Sequence, residues 1–278
     1  SMHKYWSNSE HRPADEIEIG KYNTTNYLTN SIGLQRYISD VESTINFIKS
    51  KKRSKKNIKI SFDEYQPWYH SIKKMNTHLN SDIKDWPKAY PILEDEYNLL
   101  DCLLVGTVIN TFINNSHIVK IACMAQLVNV IPAISTVKNG ISWRQSVYYP
   151  LYFASLYGRG ESLQLKINSP KYSSDIADDV NYVDASAVIN EEEKTLSFFI
   201  INRSEEESVD LDFDINNLPI IKIIDQQIIN HTNIYASNTI NKPNEIVPKK
   251  TNIATFQNEN LMAKIPKLSY LFILLKIK

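Results

Sequence analysis

The hydrophobic period of this chain changes once, near Gly160, and that change fixes its organisation. Before it, apolar residues recur at helical spacing between short β-branched runs; after it, they alternate. Leu34, Ile38, Val41, Ile45 and Ile48 lie three or four apart, which puts one apolar stripe on a helix. Ile58-Lys59-Ile60-Ser61-Phe62 follows as a short strand running into Asp63-Glu64. Tyr97, Leu100, Leu104, Val108 and Phe112 predict a second amphipathic helix over about 93–112. Residues 118–124 are nearly all apolar, as in a strand covered on both faces, and end at Ala125-Gln126. A third helix is expected from Trp143 to Tyr157, closed by Gly158. The stretches 10–30 and 65–91, polar or interrupted by proline, read as long surface loops.

Past Gly160, strands of period two are expected at residues 183–189, 196–200, 209–215, 220–224, 261–265 and 271–277. Val209-Asp210-Leu211-Asp212-Phe213 shows the pattern most plainly, with one apolar and one acidic face. The predicted fold class is α/β plus all-β. Residues 1–160 would form the last strands and helices of a partial (β/α)8 barrel, and residues 161–278 an antiparallel β-sandwich accessory domain.

Composition removes several function classes. Thirty-one basic residues balance thirty-one acidic ones, so the field expected of a nucleic-acid binder is lacking. None of the six glycines falls in a G-x-G-x-x-G or Walker spacing. Cys102 and Cys123 sit in apolar contexts without a C-x-x-C, and are expected to pack as small hydrophobes in a reducing compartment. There is no apolar run of membrane-spanning length and no secretory start, so the expectation is a cytoplasmic protein with no membrane or nucleic-acid partner, no cofactor and no metal. The basic run from Lys51 to Lys56 reads as a solvated helix C-terminus.

In α/β barrels the active site gathers at the C-terminal ends of the strands. Glu64, Gln126 and the opening segment with His3 and Tyr5 occupy such positions, and Tyr65, Trp68 and Tyr69 add aromatic faces beside a carboxylate. Ser61-Phe62-Asp63-Glu64-Tyr65-Gln66-Pro67-Trp68-Tyr69-His70 is similar to the S-F-D-E-W-x-x-W-Y segment of the α-L-arabinofuranosidases of glycoside hydrolase family 51. Residues 125–131 resemble that family's A-Q-L-V-N-V-I. The basic run, Trp143-Arg144-Gln145, Tyr157-Gly158-Arg159-Gly160 and Leu268-Ser269-Tyr270 match further segments in order.

The resemblance implies a retaining exo-acting α-L-arabinofuranosidase acting on arabinan, arabinoxylan or derived oligosaccharides. In it, Glu64 would be the catalytic nucleophile, Tyr5 would hydrogen-bond beside it, and His3 would support it. Gln126 would bind sugar hydroxyls and Trp68 would form an apolar wall. Tyr65 and Gln66-Pro67 depart from the family pattern and leave the shape of the leaving-group side open. Retention needs a second carboxyl group, which the family places in an N-E strand end. Here Asn190-Glu191, Asn244-Glu245 and Asn258-Glu259 all fall in the sandwich half, so the chain is expected to be N-terminally incomplete, inactive alone, and a homo-oligomer when full length. The alternative is a non-catalytic sugar-binding or assembly module derived from such an enzyme.

Overall fold

The structure, a computed structural model, describes residues 1–6, 23–68, 95–137, 139–215, 218–257 and 260–278. Three parallel strands, β1 (Met2–Trp6), β2 (Ile60–Pro67) and β3 (Val119–Met124), form a sheet in the order β1-β2-β3. Parallel neighbours require crossovers, and the helices α1 (Thr24–Lys51) and α2 (Leu99–Asn114) lie between them in sequence. The hydroxyl of Tyr27, near the start of α1, donates to Asp101 near the start of α2 at 2.6 Å, so both helices begin at the same end of the molecule.

α1 begins at Thr24, inside the stretch read as a loop. Asn23 supplies an N-cap, its side chain accepting the Asn26 N–H at 2.9 Å, and buried Tyr27 and Leu28 extend the apolar stripe. The remainder of the expected loop, residues 10–22, lies outside the described residues. β2 runs on to Pro67, where a loop was expected from Tyr65; residues 69–91 of that loop, with Tyr69 and His70, lie outside the described residues.

α2 is closed at its N-terminus by a capping box in which Asn98 and Asp101 each accept the other's backbone N–H. Its apolar face is not a stripe: every residue from Leu99 to Phe112 is buried. The helix is covered on one side by α1 and β2 and on the other by the sandwich. β3 shows the opposite departure. Lys120, Ile121, Ala122 and Cys123 are exposed, Ile121 to 53%: among the described residues β3 pairs only with β2, and neither of its faces is covered over these four residues. Cys123 is therefore exposed, whereas Cys102 is buried in α2 as expected.

After β3 a hairpin, β4 (Ile134–Thr136) with β5 (Ser142–Arg144), takes up the residues expected to start the third helix, so α3 spans only Tyr148–Tyr157, with Gly158 at its C-cap. Trp143 is held in the hairpin by its indole N–H, which donates to the Asn238 carbonyl at 3.0 Å.

The remaining strands are β6 (Glu161–Leu163), β7 (Lys171–Tyr172), β8 (Val180–Asn181), β9 (Val183–Asn190), β10 (Thr195–Asn202), β11 (Val209–Phe213), β12 (Ile220–Ile229), β13 (Lys249–Lys250), β14 (Ala254–Gln257), β15 (Asn260–Ile265) and β16 (Ser269–Ile277). The period-two segments fall on β9, β10, β11, β12, β15 and β16. A six-stranded antiparallel sheet, β13-β12-β16-β10-β9-β6, stacks on a three-stranded one, β11-β15-β14. Phe198, Ile200, Leu271 and Ile273 of the large sheet meet Leu261, Ala263 and Ile265 of the small one. The opposite face of β10 and β16, with Phe199, Ile201, Tyr270 and Phe272, packs in one core with α2 and α3. Burial on both faces explains the unbroken apolar runs of these two central strands.

Two details define the junction. α2 approaches β16 so closely at Gly106 that a Cβ there would lie 3.0 Å from the Tyr270 ring. Polar groups then pin the faces together: Asn110 donates to Asp184 at 2.7 Å and to the Phe199 carbonyl at 3.2 Å, and accepts from Ser186 at 2.7 Å. Asp184 also pairs with Arg203, whose guanidinium donates to Ser31 of α1 at 3.2 Å. Burial pushes the Asp184 carboxyl up, against the pull of Arg203 and Asn110. Losing one partner of such a pair typically costs about 3–5 kcal/mol.

Gly160 has φ of +133°, and a Cβ there would fall 2.1 Å from the Ile189 carbonyl oxygen. Gly160→Ala should therefore destabilise the chain by about 2 kcal/mol or more in urea denaturation; an unchanged midpoint would contradict the geometry. Asp101 gives a pH signature. Burial pushes its carboxyl from the usual 3.8 up to about 7, despite the bonds it accepts from Tyr27 and the Asn98 N–H. A raised carboxyl favours folding in its protonated form, so this contribution is complete below about pH 4 and is lost as pH rises toward 7. Stability should fall across that window by up to roughly 4 kcal/mol from this group. Asp101→Asn should flatten that slope in denaturation midpoints measured from pH 4 to 8.

Candidate active site

The placement of Glu64 depends on a bulge in β2. Met2 pairs with Phe62 and His3 with Glu64, which skips Asp63; on the other side the pairing passes from Phe62↔Ala122 to Tyr65↔Met124. The extra residue breaks simple alternation. Phe62 and Tyr65 consequently both bury against Phe112 of α2, with ring centroids 4.9 and 5.0 Å away. Glu64 is left on the sheet's other side.

There the Tyr5 hydroxyl donates to Glu64 Oε2 at 2.5 Å, and His3 Nδ1 lies 3.4 Å from the same oxygen. β1 presents both side chains because His3 and Tyr5 are two apart and share one face. Burial, followed by the hydrogen bond to Glu64 and its charge, pushes Tyr5 up to about 12, so the hydroxyl stays a proton donor through the neutral range. The Glu64 and His3 side chains remain 44% and 50% exposed, and the carboxylate is open to an incoming molecule. The Trp68 ring lies 5.1 Å from that of Tyr5 at a 58° tilt, and the Trp68 N–H donates to the Trp6 carbonyl at 2.7 Å. The aromatic wall and the carboxylate are thus joined through Tyr5.

Gln126 follows β3. The Ala125 N–H donates to the Tyr65 carbonyl at 3.2 Å, which places the Gln126 backbone at the same strand end as Glu64. The loop then doubles back: the Gln126 N–H donates to the Ile131 carbonyl at 3.2 Å, and Asn129 and Val130 adopt positive φ of 56° and 68°. Asn129 steadies this turn by donating to Thr136 Oγ1 and accepting the Thr136 N–H, both at 2.8 Å.

Asp63, adjacent to Glu64 in sequence, does not join the group. It is exposed and accepts from the Ser61 hydroxyl, which is the main reason its carboxyl sits below the usual range. Tyr65 is fully buried in the helix layer and contributes no surface beside Glu64, so its departure from the family tryptophan is absorbed by packing against Phe112. Gln66, which with Pro67 departs from the family pattern, lies two residues beyond Glu64. It is fully buried and registers with Tyr5; among the described residues neither amide atom makes a hydrogen bond of good geometry, although Gln66 lies close enough to the Tyr97 hydroxyl to interact with it.

A carboxylate at the end of parallel strands, gripped by a tyrosine hydroxyl and flanked by an imidazole and an indole, can serve as a nucleophile toward a polyhydroxylated substrate. Comparisons with known proteins place the chain in a family. The family model for the α-L-arabinofuranosidase C-terminal domain matches residues 63–269. The intracellular exo-α-(1→5)-L-arabinofuranosidase 1 of Bacillus subtilis (strain 168) is 39% identical over 276 residues, which cover 99% of this chain and 52% of that protein. A Halalkalibacterium halodurans protein named intracellular exo-α-(1→5)-L-arabinofuranosidase is 36% identical over 270 residues, covering 97% of this chain and 50% of that one. The solved structure of a family 51 α-L-arabinofuranosidase from Bifidobacterium longum superposes with a TM-score of 0.85 at 25% identity, covering 99% of this chain and 52% of that chain. The chain spans about half the length of the curated relatives it matches. It belongs to the α-L-arabinofuranosidase C-terminal domain family and corresponds to a C-terminal portion of the glycoside hydrolase family 51 arabinofuranosidases.

Proposed function

We propose that this chain supplies the nucleophile-bearing part of a retaining exo-α-L-arabinofuranosidase that releases terminal arabinofuranosyl units from arabinan, arabinoxylan or their oligosaccharides. The observation that supports this best is the 2.5 Å bond from the Tyr5 hydroxyl to Glu64 at the strand ends. In this reading residues 1–160 are the C-terminal part of a (β/α)8 barrel and residues 161–278 an accessory sandwich. The order β1-β2-β3, with intervening helices, supports it.

Glu64 attacks the anomeric carbon; the bond to the leaving oxygen breaks, and a covalent arabinosyl-enzyme forms. Water then displaces Glu64 with overall retention. Tyr5 holds the attacking carboxylate in one rotamer, and His3 approaches the same oxygen. Trp68 lines the sugar's apolar face, while Gln126 binds its hydroxyls. The second carboxyl, which must stand about 5 Å from the first, comes from sequence outside this chain. Asn190-Glu191 ends β9 in the sandwich, Glu245 contacts His231 at 3.3 Å in the loop after β12, and Asn258-Glu259 lies outside the described residues. The full-length protein is read as a cytoplasmic homo-oligomer, a placement supported by the word intracellular in the relatives' names.

The test is hydrolysis of an aryl α-L-arabinofuranoside. The 278-residue chain alone should turn it over negligibly, since acid/base assistance is worth roughly 10²–10⁴-fold. The chain joined to the missing half should be active. In that enzyme Glu64→Ala should abolish turnover, and azide should restore it with inverted configuration at the anomeric carbon. Robust activity of the chain alone, or undiminished activity in Glu64→Ala, would sink the assignment.

A further inference from the structure

We propose a second carbohydrate site, separate from Glu64, where the start of α1 meets the sandwich. A pocket of about 230 Å³ there is lined by Thr25, Tyr172, Tyr182, Arg203, Glu205 and Glu206. It is smaller than the roughly 300–1,000 Å³ of sites for drug-sized ligands, which suits one sugar ring rather than a longer segment. α1 returns to β2 through the short connection 52–59, so its first turn lies at the strand end where Glu64 stands.

Each wall has a different chemistry. The Tyr172 and Tyr182 rings stand 5.1 Å apart with 34° between their planes and give an apolar surface for the C–H face of a sugar. The Tyr172 hydroxyl accepts from Thr29 at 3.0 Å, which fixes that ring. Arg203 forms the floor. Its side chain is 2% exposed and its terminal nitrogens are engaged by Asp184, Ser31 and the Asn181 carbonyl, yet its buried Nε has no partner among the described residues. At the rim, Glu205 accepts from the Thr25 hydroxyl at 3.1 Å through one oxygen only, and no hydrogen bond is made to the Glu206 carboxylate among the described residues.

A neutral polyol fits this combination better than other ligand classes. Its hydroxyls can donate to the glutamates and accept from the arginine edge while its C–H face covers the tyrosines. An anion would meet two carboxylates, with the one arginine already neutralised by Asp184. A cation could pair with the glutamates but offers no lone pair to the Arg203 Nε–H, and an apolar molecule would desolvate the rim.

Titration of the chain with α-1,5-arabinotriose, followed by calorimetry and by NMR chemical shifts, tests the site. The choice of an arabinose probe rests on the proposed function; the readout needs no turnover. Binding should persist in the Glu64→Gln/Trp68→Ala double variant and weaken about tenfold or more in Tyr182→Ala and, independently, in Glu206→Ala. Glu206 is exposed, so its variant folds even where loss of a tyrosine disturbs packing. No binding by the parent chain to any neutral trisaccharide, or affinity unchanged in both variants, overturns the proposal. Binding of xylotriose in place of arabinotriose, with the same sensitivity to Tyr182 and Glu206, supports the site and favours arabinoxylan over arabinan, whereas binding of maltotriose alone supports the site and counts against the arabinofuranosidase reading.

Discussion

The burial of α2 on every face is the constraint from which the rest of the structure follows. A helix without a wet side needs a partner all round, and here the partners are α1 and β2 on one side and the large sheet of the sandwich on the other. That sheet is in turn buried twice, once against the small sheet and once against α2 and α3. One core therefore runs across residue 160, where the sequence pattern changes. The sandwich is a structural wall of the part that carries Glu64, since β10 and β16 share one core with α2 and β2.

The polar contacts at this junction have a different role from the apolar ones. Apolar packing between α2 and β16 would tolerate small sliding, whereas Asn110, Asp184, Ser186 and Arg203 meet in one arrangement of donors and acceptors. Burying them costs solvation that the apolar residues must offset. In return they set one register between helix and sheet, in keeping with buried polar groups elsewhere that select among packings.

Much of this was legible in the residues. The outer strands of the sandwich announced themselves by alternation and the central β10 and β16 by unbroken apolar runs, while Glu64 stood out through the resemblance of residues 61–70 to a family segment more than through its position. What the sequence hid depends on pairing. Nothing in Phe62-Asp63-Glu64-Tyr65 says that Asp63 is the bulged residue, yet that bulge separates an exposed, serine-bound Asp63 from the Glu64 that Tyr5 grips. β3 was misread for a related reason. Its composition fits a covered strand, whereas the described fold gives it one neighbour, and its exposed Ile121 and Cys123 follow from position in the sheet. The pocket of Thr25, Tyr172, Tyr182 and Arg203 was invisible because its members are separated by up to about 180 positions and meet only when α1 docks on the sandwich.

The same dependence explains the state of Gln66. Among the described residues this buried amide makes no hydrogen bond of good geometry, and its one polar neighbour of note is the Tyr97 hydroxyl; a buried polar group left unsatisfied typically costs about 1–3 kcal/mol. Gln66 follows Glu64 by two residues, registers with Tyr5 and lies beside the Tyr97 hydroxyl, which is itself given to the Pro67 carbonyl at 2.8 Å. The described residues thus leave unused hydrogen-bonding capacity at the strand end that presents Glu64.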